Sequence, residues 1–365
     1  TDAFSTWLYR ALTFLVVSCP CALVVSVPLS FFGGIGGASR KGILIKGGNY
    51  MDALAHIDTV VLDKTGPLTQ GTFAVEAIHP DSLSEKELLH LAAHVEHFSH
   101  HPIAVALQGA YQHVGDGCTT NHVHEVVGKG IVADVNGHRV AVGNERMMEA
   151  EGATLHPCKR CEGHAGTVVH VAIDGRYAGH VVISDQVKAD ASEALRALRQ
   201  LGVKQTVMLT GDKEAVARQV ALQVGIDSYA AELLPADKVD RVERLIQQQS
   251  QEKGTLAFVG DGINDAPVLA RADVGIAMGA MGSDAAIDAA DVVLMDDKPS
   301  KIAEAIRIAR RTIANARQNV VFAIVVKALV LLLASVGVAT MGMAVFADVG
   351  VMVLCVLNSM RTLRV

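Results

Sequence analysis

The sequence is poor in aromatic residues and in cysteines, and it carries no excess of positive charge. Aromatic residues make up 4% of the 365 positions, and 38 Asp and Glu outnumber 32 Lys and Arg, for a net charge of -6. This balance offers no basic surface for nucleic acid. Six cysteines in a chain of this length are too few for a disulfide framework, and they indicate a reducing compartment.

Hydrophobic residues, by contrast, make up 50% of the chain and are concentrated in runs near its two ends. Residues 4–38, 319–336 and 341–358 form runs long enough, or nearly so, for the ~20 residues of a membrane-spanning helix. The flanks of these runs are rich in Lys and Arg, such as Arg40 and Lys41 after the first. Because basic flanks stay in the cytoplasm, we predict a multi-pass membrane protein with cytoplasmic domains. Buried core helices are the alternative.

The first run is interrupted near its middle by Cys19-Pro20-Cys21. Proline removes a backbone hydrogen bond and kinks a helix, and lipid tolerates such a break only where the freed backbone faces protein or a wet cavity. Thiolates at the kink can bind soft or borderline metal ions. Packing or lipidation of the thiols is the alternative.

Between the membrane runs, short apolar stretches alternate with helical patterns. The stretches at residues 59–63, 206–212, 255–265 and 274–279 are predicted to be buried strands that end in Asp, Gly or Thr. This order predicts a doubly wound parallel sheet, with its site at the carboxyl ends of the strands. The long gap after the first strand contains its own strand-like runs and is predicted to be an inserted domain.

Acidic residues follow these strands. The carboxylate of Asp63 is expected in the crevice, where it can accept a phosphoryl group and form an aspartyl phosphate. Such a transfer needs a metal ion and cations around the phosphoryl oxygens. Asp261 and Asp265 offer oxygen ligands for Mg²⁺, Lys238 is a candidate charge partner, and Thr210-Gly211-Asp212 offers a hydroxyl and amides. The alternative is that each Asp merely forms a turn or caps a helix.

Several motifs together resemble the phosphorylation domain of P-type ATPases, which have the haloacid dehalogenase-like α/β fold. They are DKTG, TGDK, LLPADK and GDGINDAPVLARADVGIAMG, which begin at residues 63, 210, 233 and 260. SCPCAL and the His101-Pro102 pair in EHFSHHPIAVAL narrow the resemblance to the heavy-metal-transporting branch, type IB. The resemblance spans nearly the whole chain. It implies a phosphorylation domain, an inserted α+β nucleotide-binding domain and transmembrane helices.

The resemblance also implies roles for individual residues. Asp63 would be phosphorylated, and Asp63, Thr65 and Asp261 would hold Mg²⁺. The catalytic site would contain Asp63, Lys64, Thr65, Thr210, Gly211, Asp212, Lys238, Asn264 and Asp265. ATP would contact the inserted domain at Glu96, His101, Gly128, Gly130 and Gly143. In this family the Cys-Pro-Cys break is interpreted as a metal-binding site.

The expected domains follow from the motifs. Residues 1–39 form a transmembrane segment and residues 319–365 a transmembrane hairpin. Residues 40–71 and 181–318 form the phosphorylation domain, and residues 72–180 the nucleotide-binding domain. The expected location is a bacterial inner membrane, with the soluble domains in the cytoplasm.

Two ionisable residues inside the final hairpin indicate which metal is carried. Lys327 and Asp348 lie at depths where charge is costly, so a functional role is expected. A divalent ion bound by two thiolates and the Asp348 carboxylate leaves one negative charge, which Lys327 would neutralise. The mixed sulfur and oxygen set suits Zn²⁺ better than Cu⁺. The spacing of Asn319 to Lys327, with Asp348-Val349-Gly350, resembles the zinc, cadmium and lead subgroup of these ATPases. We therefore expect export of Zn²⁺, Cd²⁺ or Pb²⁺ driven by ATP and Mg²⁺.

Three alternatives stay open: a Cu⁺-transporting ATPase, a membrane-anchored phosphatase of the same fold, and a metal-binding membrane protein without catalysis. Two departures from the family bear on them. Pro67 stands where the family has Thr, which removes one N–H and one hydroxyl from the loop beside Asp63. No Thr-Gly-Glu motif is found, so the actuator domain and earlier membrane helices are expected in a missing N-terminal part of the same polypeptide. The expected partners are therefore that part, the lipid bilayer and divalent heavy-metal ions.

Other Cys and His residues receive weaker predictions. Cys158 and Cys161, flanked by His156 and His164, have zinc-ligand spacing, but a surface loop with incidental thiols is the preferred interpretation. The remaining histidines, such as His94, His97 and His100, are expected on solvated polar faces.

Overall fold

The computed structural model describes residues 2–99, 101–111, 117–156, 158, 166–249, 254–261, 265–279, 284–336, 338 and 340–364. Its strands are β1 Ile43–Ile45, β2 Ile57–Asp63, β3 Thr69–Pro80, β4 Thr120–Val126, β5 Gly130–Val135, β6 His138–Gly143, β7 Thr167–Ile173, β8 Arg176–Val187, β9 Gln205–Leu209, β10 Ser228–Ala230, β11 Thr255–Gly260, β12 Val274–Met278 and β13 Val292–Leu294. Its α-helices are α1 Asp2–Ser18, α2 Cys21–Arg40, α3 Gly48–Ala55, α4 Glu85–Glu96, α5 Pro102–Ala110, α6 Glu145–Ala150, α7 Ala191–Gln200, α8 Glu214–Val224, α9 Pro235–Gln249, α10 Ala266–Arg271, α11 Asp284–Ala289, α12 Ser300–Ser335 and α13 Met341–Ser359.

A seven-stranded sheet forms the centre of the body that the chain builds between its apolar runs, in the order β1-β13-β12-β11-β2-β9-β10. All of its neighbouring strands are parallel except the edge strand β1, which pairs antiparallel with β13. Its central strands read as continuous apolar runs because both faces are covered. On β2, Val60 and Leu62 pack in the core with α3, α7, α8 and α12, whereas Val61 packs in the core with α9, α10 and α11. The predicted doubly wound parallel sheet is therefore confirmed.

A second, antiparallel sheet is inserted between β2 and β9, in the order β3-β8-β7-β6-β5-β4. Helices α4 and α5 pack on one face, and α6 packs on the other. The expected boundaries after residues 71 and 180 fall inside β3 and β8, the two strands that join this sheet to the other body. An α+β insert is thus present, and its first and last strands run past the limits that the sequence suggested.

The apolar runs form helices. Among the described residues, three helical segments are long and apolar enough to cross a membrane: Cys21–Arg40, Ser300–Ser335 and Met341–Arg364, the last being α13 with the 3₁₀ turn that follows it. The first run is divided at Cys19-Pro20 into α1 and α2, as expected from the missing proline N–H. Helix α12 is continuous over 36 residues from the body around the seven-stranded sheet into the apolar run, so the expected boundary after residue 318 lies inside one helix.

A buried polar network joins α2, α12 and α13. The Asn319 side-chain amide donates to the Ser359 hydroxyl at 2.8 Å and to the Cys355 carbonyl at 3.1 Å. The Ser30 hydroxyl lies 2.9 Å from that of Ser359 and donates to Asn315 at 3.1 Å. These buried polar groups find their hydrogen-bond partners on the neighbouring helices. The contacts therefore fix how the helices that carry Cys21, Lys327 and Asp348 approach one another.

Candidate active site

Asp63 is the last residue of β2 and is almost fully buried, with 7% of its surface exposed. The first turns of α9 supply Lys238, whose Nζ donates to Asp63 Oδ1 at 2.6 Å and to Asp265 Oδ1 at 3.0 Å. Burial and the Asp265 charge raise the pKa of Asp63 to about 7, against the opposing attraction of Lys238. The lysine therefore holds a carboxylate in a place where it would otherwise tend to be protonated.

Three carboxylates meet at the ends of β2 and β11. Oxygen atoms of Asp63, Asp261 and Asp265 all lie within 4.8 Å of one another. Burial and the nearby Asp265 raise the pKa of Asp261 to about 6, which is the usual result of crowding like charges. A hard divalent cation would relieve that repulsion, and an all-oxygen donor set is the one that Mg²⁺ prefers. The residues present therefore fit the expected magnesium ion. Asn264 lies outside the described residues.

The loop after Asp63 is shaped by Gly66. Its φ of +85° is in the region that favours glycine, and a Cβ there would fall 2.7 Å from the Cβ of Asp261 and closer still to its carboxylate. Thr65 and the loop backbone are thereby brought against Asp261. Pro67, the departure noted from the sequence, is buried in the same loop.

Lys64 points to a second acidic group. Its Nζ lies 2.5 Å from Asp212 Oδ2 and 3.6 Å from Asp185 Oδ2. Thr210 is buried, and its hydroxyl accepts a hydrogen bond from the Asp212 N–H at 3.1 Å. The predicted residues at the ends of β2 and β9 are therefore neighbours, and Asp63, Asp261, Asp265 and Lys238 form the adjoining cluster.

Sequence reasoning missed two charged residues in this region. Asp185 accepts a hydrogen bond from Thr69 at 2.5 Å, and Lys188 donates to the Asp297 carboxylate at 3.0 Å. The attraction of Lys188 also moderates the raised pKa of Asp261. Asp185 follows the apolar stretch VVIS of β8, so the rule that identified Asp63 would also have identified it.

The five residues matched to nucleotide binding fall into different settings. His101 is the N-cap of α5, where its Nδ1 accepts the Ile103 N–H at 3.3 Å, and Pro102 occupies the first helical turn. Glu96, at the end of α4, is buried, and burial together with the charge of Glu125 raises its pKa to about 7. Gly128 has a φ of +74° and open space where a side chain would lie, which leaves room for a ligand.

Gly130 and Gly143 have a packing explanation of their own. They are paired across β5 and β6, and a Cβ on Gly143 would fall 3.0 Å from the Cα of Gly130.

A cleft of about 1110 Å³ runs between the two sheets. Lys64, Thr65 and Asp212 line it from one side, and Asn144, which donates to the Gly128 carbonyl at 2.9 Å, lines it from the other. Glu96, His101 and the three glycines, all in the described ranges, do not line this cleft.

The remaining predicted residues lie around the Cys19-Pro20 break between α1 and α2. Lys327 Nζ donates to the Cys19 carbonyl, at the break between α1 and α2, and lies 3.6 Å from Asp348 Oδ1. Cys21 neighbours both the Cys19 thiol and the Asp348 carboxylate. Lys327, Asp348 and Pro20 line a cavity of about 20 Å³, enough for roughly one water molecule. In the described part of the chain, however, the two thiols and Asp348 do not form a set within 4.8 Å of one another.

Comparisons with known proteins agree with this geometry. A haloacid dehalogenase-like hydrolase family model matches residues 57–273. The chain is 54% identical over 357 residues to a zinc-transporting ATPase of Synechocystis sp., with 97% of this chain and 48% of that protein aligned. It is 52% identical over 363 residues to a cadmium, zinc and cobalt-transporting ATPase of Bacillus subtilis, with 99% and 51% aligned.

A solved structure is also similar along the chain. The crystal structure of a zinc-transporting PIB-type ATPase in an E2.Pi state superposes with a TM-score of 0.89 at 39% identity, covering 99% of this chain and 58% of that one. The chain spans about half the length of the curated relatives it matches. Since the family model covers more than half of the sequence and these relatives align along nearly all of it, the chain belongs to the haloacid dehalogenase-like hydrolases and, within them, to the heavy-metal-transporting type IB P-type ATPases.

Proposed function

We propose that the protein to which this chain belongs exports Zn²⁺, Cd²⁺ or Pb²⁺ across a membrane by hydrolysing ATP through an aspartyl phosphate. The observation that carries the proposal is Asp63, buried at a strand end with Lys238 Nζ 2.6 Å away and two further carboxylates in reach. The same chain carries two thiols and an Asp–Lys pair at a proline break in an apolar helix. The relatives' names, which specify zinc and cadmium, agree with this cargo.

Asp63 acts as the nucleophile. One of its carboxylate oxygens forms a bond to the γ-phosphorus of ATP while the bond to the bridging oxygen breaks and ADP leaves. Lys238 orients the carboxylate and offsets the charge that gathers on the phosphoryl oxygens. Mg²⁺, when bound by Asp63, Asp261 and the Thr65 backbone, supplies further neutralisation of phosphate charge. Lys64, Thr210, Gly211, Asp212, Asn264 and Asp265 complete the site.

The nucleotide is held by the inserted domain. Glu96, His101, Gly128, Gly130 and Gly143 contact ATP, and the cleft between the two sheets lets its phosphates approach Asp63. We assign residues 40–71 and 181–318 to the phosphorylation domain and residues 72–180 to the nucleotide domain, with β3 and β8 crossing the two boundaries as the connecting strands. Residues 1–39 and 319–365 lie in the membrane.

The membrane site binds a divalent ion with the thiolates of Cys19 and Cys21 and the carboxylate of Asp348. One negative charge then remains, and Lys327 neutralises it. When no metal is bound, Lys327 pairs with Asp348, for which the present 3.6 Å separation is the support. The lysine is thus a built-in counter-ion for Asp348 that favours release of the metal ion. The site is in a bacterial inner membrane, the soluble domains are cytoplasmic, and the rest of the polypeptide completes the transporter.

The test is phosphoenzyme formation by the full-length protein. Asp63→Asn keeps the side-chain volume but removes the nucleophilic oxygen, so we expect no acid-stable phosphoenzyme from radiolabelled ATP and nearly unchanged ATP binding. Asp52→Asn, at an exposed position on α3, is the matched control and is expected to behave like wild type. Undiminished phosphoenzyme in Asp63→Asn would contradict the assignment.

A further inference from the structure

Two histidines and a cysteine of the inserted domain lie together, far from Asp63 in sequence. One ligand atom from each of His90, His94 and Cys118 can be chosen so that all lie within 4.8 Å of one another. His90 Nε2 is 3.3 Å from Cys118 Sγ. Ligand atoms around a tetrahedral zinc ion lie roughly 3.3–3.8 Å apart, so the first pair already has that spacing. Side-chain rotations that move the third ligand atom, on His94, by about 1 Å would bring all three atoms to that spacing.

The helix presents its two histidines as a chelating pair. His90 and His94 are four residues apart on α4, so they project from the same face, and their rings contact edge to face with centroids 4.6 Å apart. A capping box between Ser84 and Glu87 fixes the start of the helix. Its buried face is packed in the domain core. The two histidines are therefore held on a rigid helix. His94 is buried, so the prediction that it lies on a solvated polar face was wrong.

The cysteine is oriented by a neighbouring amide. Asn136 Oδ1 accepts the Thr119 N–H at 3.0 Å, which turns its Nδ2 toward Cys118 Sγ at 3.1 Å. An N–H donor facing sulfur is the arrangement that supports a metal-bound thiolate. Tyr111 closes another side, with its ring centroid 5.1 Å from that of His90.

We propose that His90, His94 and Cys118 form a binding site for a borderline divalent cation of the Zn²⁺ and Cd²⁺ class, separate from the membrane site. One thiolate and two neutral imidazoles suit such ions and disfavour Mg²⁺, which takes oxygen ligands. His90 and Cys118 are half-buried, so a water molecule can occupy the fourth position. The bound ion would tie α4, which ends in Glu96, to the segment that leads into β4.

The test uses thiolate-to-cobalt charge transfer, which reports a metal–sulfur bond. In full-length protein purified in detergent, every cysteine except Cys118 and Cys355 is changed to serine, which in this chain means Cys19, Cys21, Cys158 and Cys161. Titration with Co²⁺ in excess Mg²⁺ is expected to give one equivalent with the visible bands of tetrahedral Co²⁺ and a sulfur charge-transfer band. Addition of Zn²⁺ is expected to displace it.

Variants in that background identify the ligands. Cys118→Ser is expected to abolish the charge-transfer band, and His90→Ala, at a half-buried position, to abolish tight binding. Asn136→Ala is expected to weaken binding by about 10–100-fold. His97→Ala, on the exposed end of the same helix, and Cys355→Ser are matched controls and are expected to change nothing. A missing charge-transfer band in the background protein, or a band retained in Cys118→Ser, would overturn the proposal.

Discussion

Gly66 connects the phosphorylation loop to the expected magnesium ligand, and its replacement by alanine tests that connection. A φ of +85° with a ψ of −63° costs a non-glycine residue about 1–3 kcal/mol. The new Cβ would fall 2.7 Å from the Cβ of Asp261, whereas carbon atoms pack at about 3.5–4.0 Å. Asp261 must therefore shift by about 1 Å. Because a displacement of that size at a reacting centre can cost about 100-fold in rate, we expect Gly66→Ala to slow phosphoenzyme formation about 100-fold, or about 2.7 kcal/mol in the barrier.

The control separates the clash from the backbone strain. Gly202 has nearly the same φ, +81°, with nothing within 4 Å of the position of its Cβ. Gly202→Ala should lose a similar ~1–2 kcal/mol of stability and keep its rate. The assay is rapid-quench phosphorylation by radiolabelled ATP across Mg²⁺ concentrations, in full-length protein. If Gly66→Ala phosphorylates as fast as Gly202→Ala, Asp261 is not positioned by this loop and the reasoning fails.

Two further predictions concern the inserted domain. His101→Ala should remove both the helix cap and the ATP contact, whereas His101→Asn keeps a side-chain acceptor for the cap. We expect both variants to bind ATP about 2–10-fold more weakly. If the Asn variant gives the same ATP titration curve as wild type, His101 only caps the helix. His180 is buried beside His170 and His79, and burial first, then those neighbours, lowers its pKa to about 4. Between about pH 6.5 and pH 4, His180 is therefore protonated in the unfolded chain but neutral in the folded chain. The stability of the fold should decrease as the pH drops through that window. His180→Asn should flatten the pH dependence of unfolding by denaturant there, and an unchanged slope would contradict this explanation.

The reacting carboxylates could be predicted because each follows an apolar strand. Asp63 and Asp261 end parallel neighbours of one sheet, so their proximity follows from topology, and Lys238 was found through its motif. Asp185 also follows an apolar stretch and could have been named as a candidate, but β8 belongs to the other sheet, so only tertiary structure shows that Asp185 lies beside Lys64. Sequence periodicity alone does not show which sheet a strand joins.

Burial of polar residues was the least predictable feature. The spacing of His90 and His94 is visible in the sequence, but the buried face of α4 depends on packing against strands far along the chain. Gly130 and Gly143 could not be recognised as a cross-strand pair without the register of β5 and β6. The break at Pro20, in contrast, followed from the missing N–H and needed no tertiary information.

The most direct test of the account is the ATPase activity of the purified full-length protein across metal ions, in wild type and in Asp348→Ala. We expect stimulation by Zn²⁺, Cd²⁺ and Pb²⁺, and loss of that stimulation in Asp348→Ala with ATP binding retained. Val345→Ala, at an exposed position one turn away on the same helix, should respond like wild type. Stimulation by Cu⁺ alone, or an unchanged Zn²⁺ response in Asp348→Ala, would contradict the proposed membrane site and its cargo.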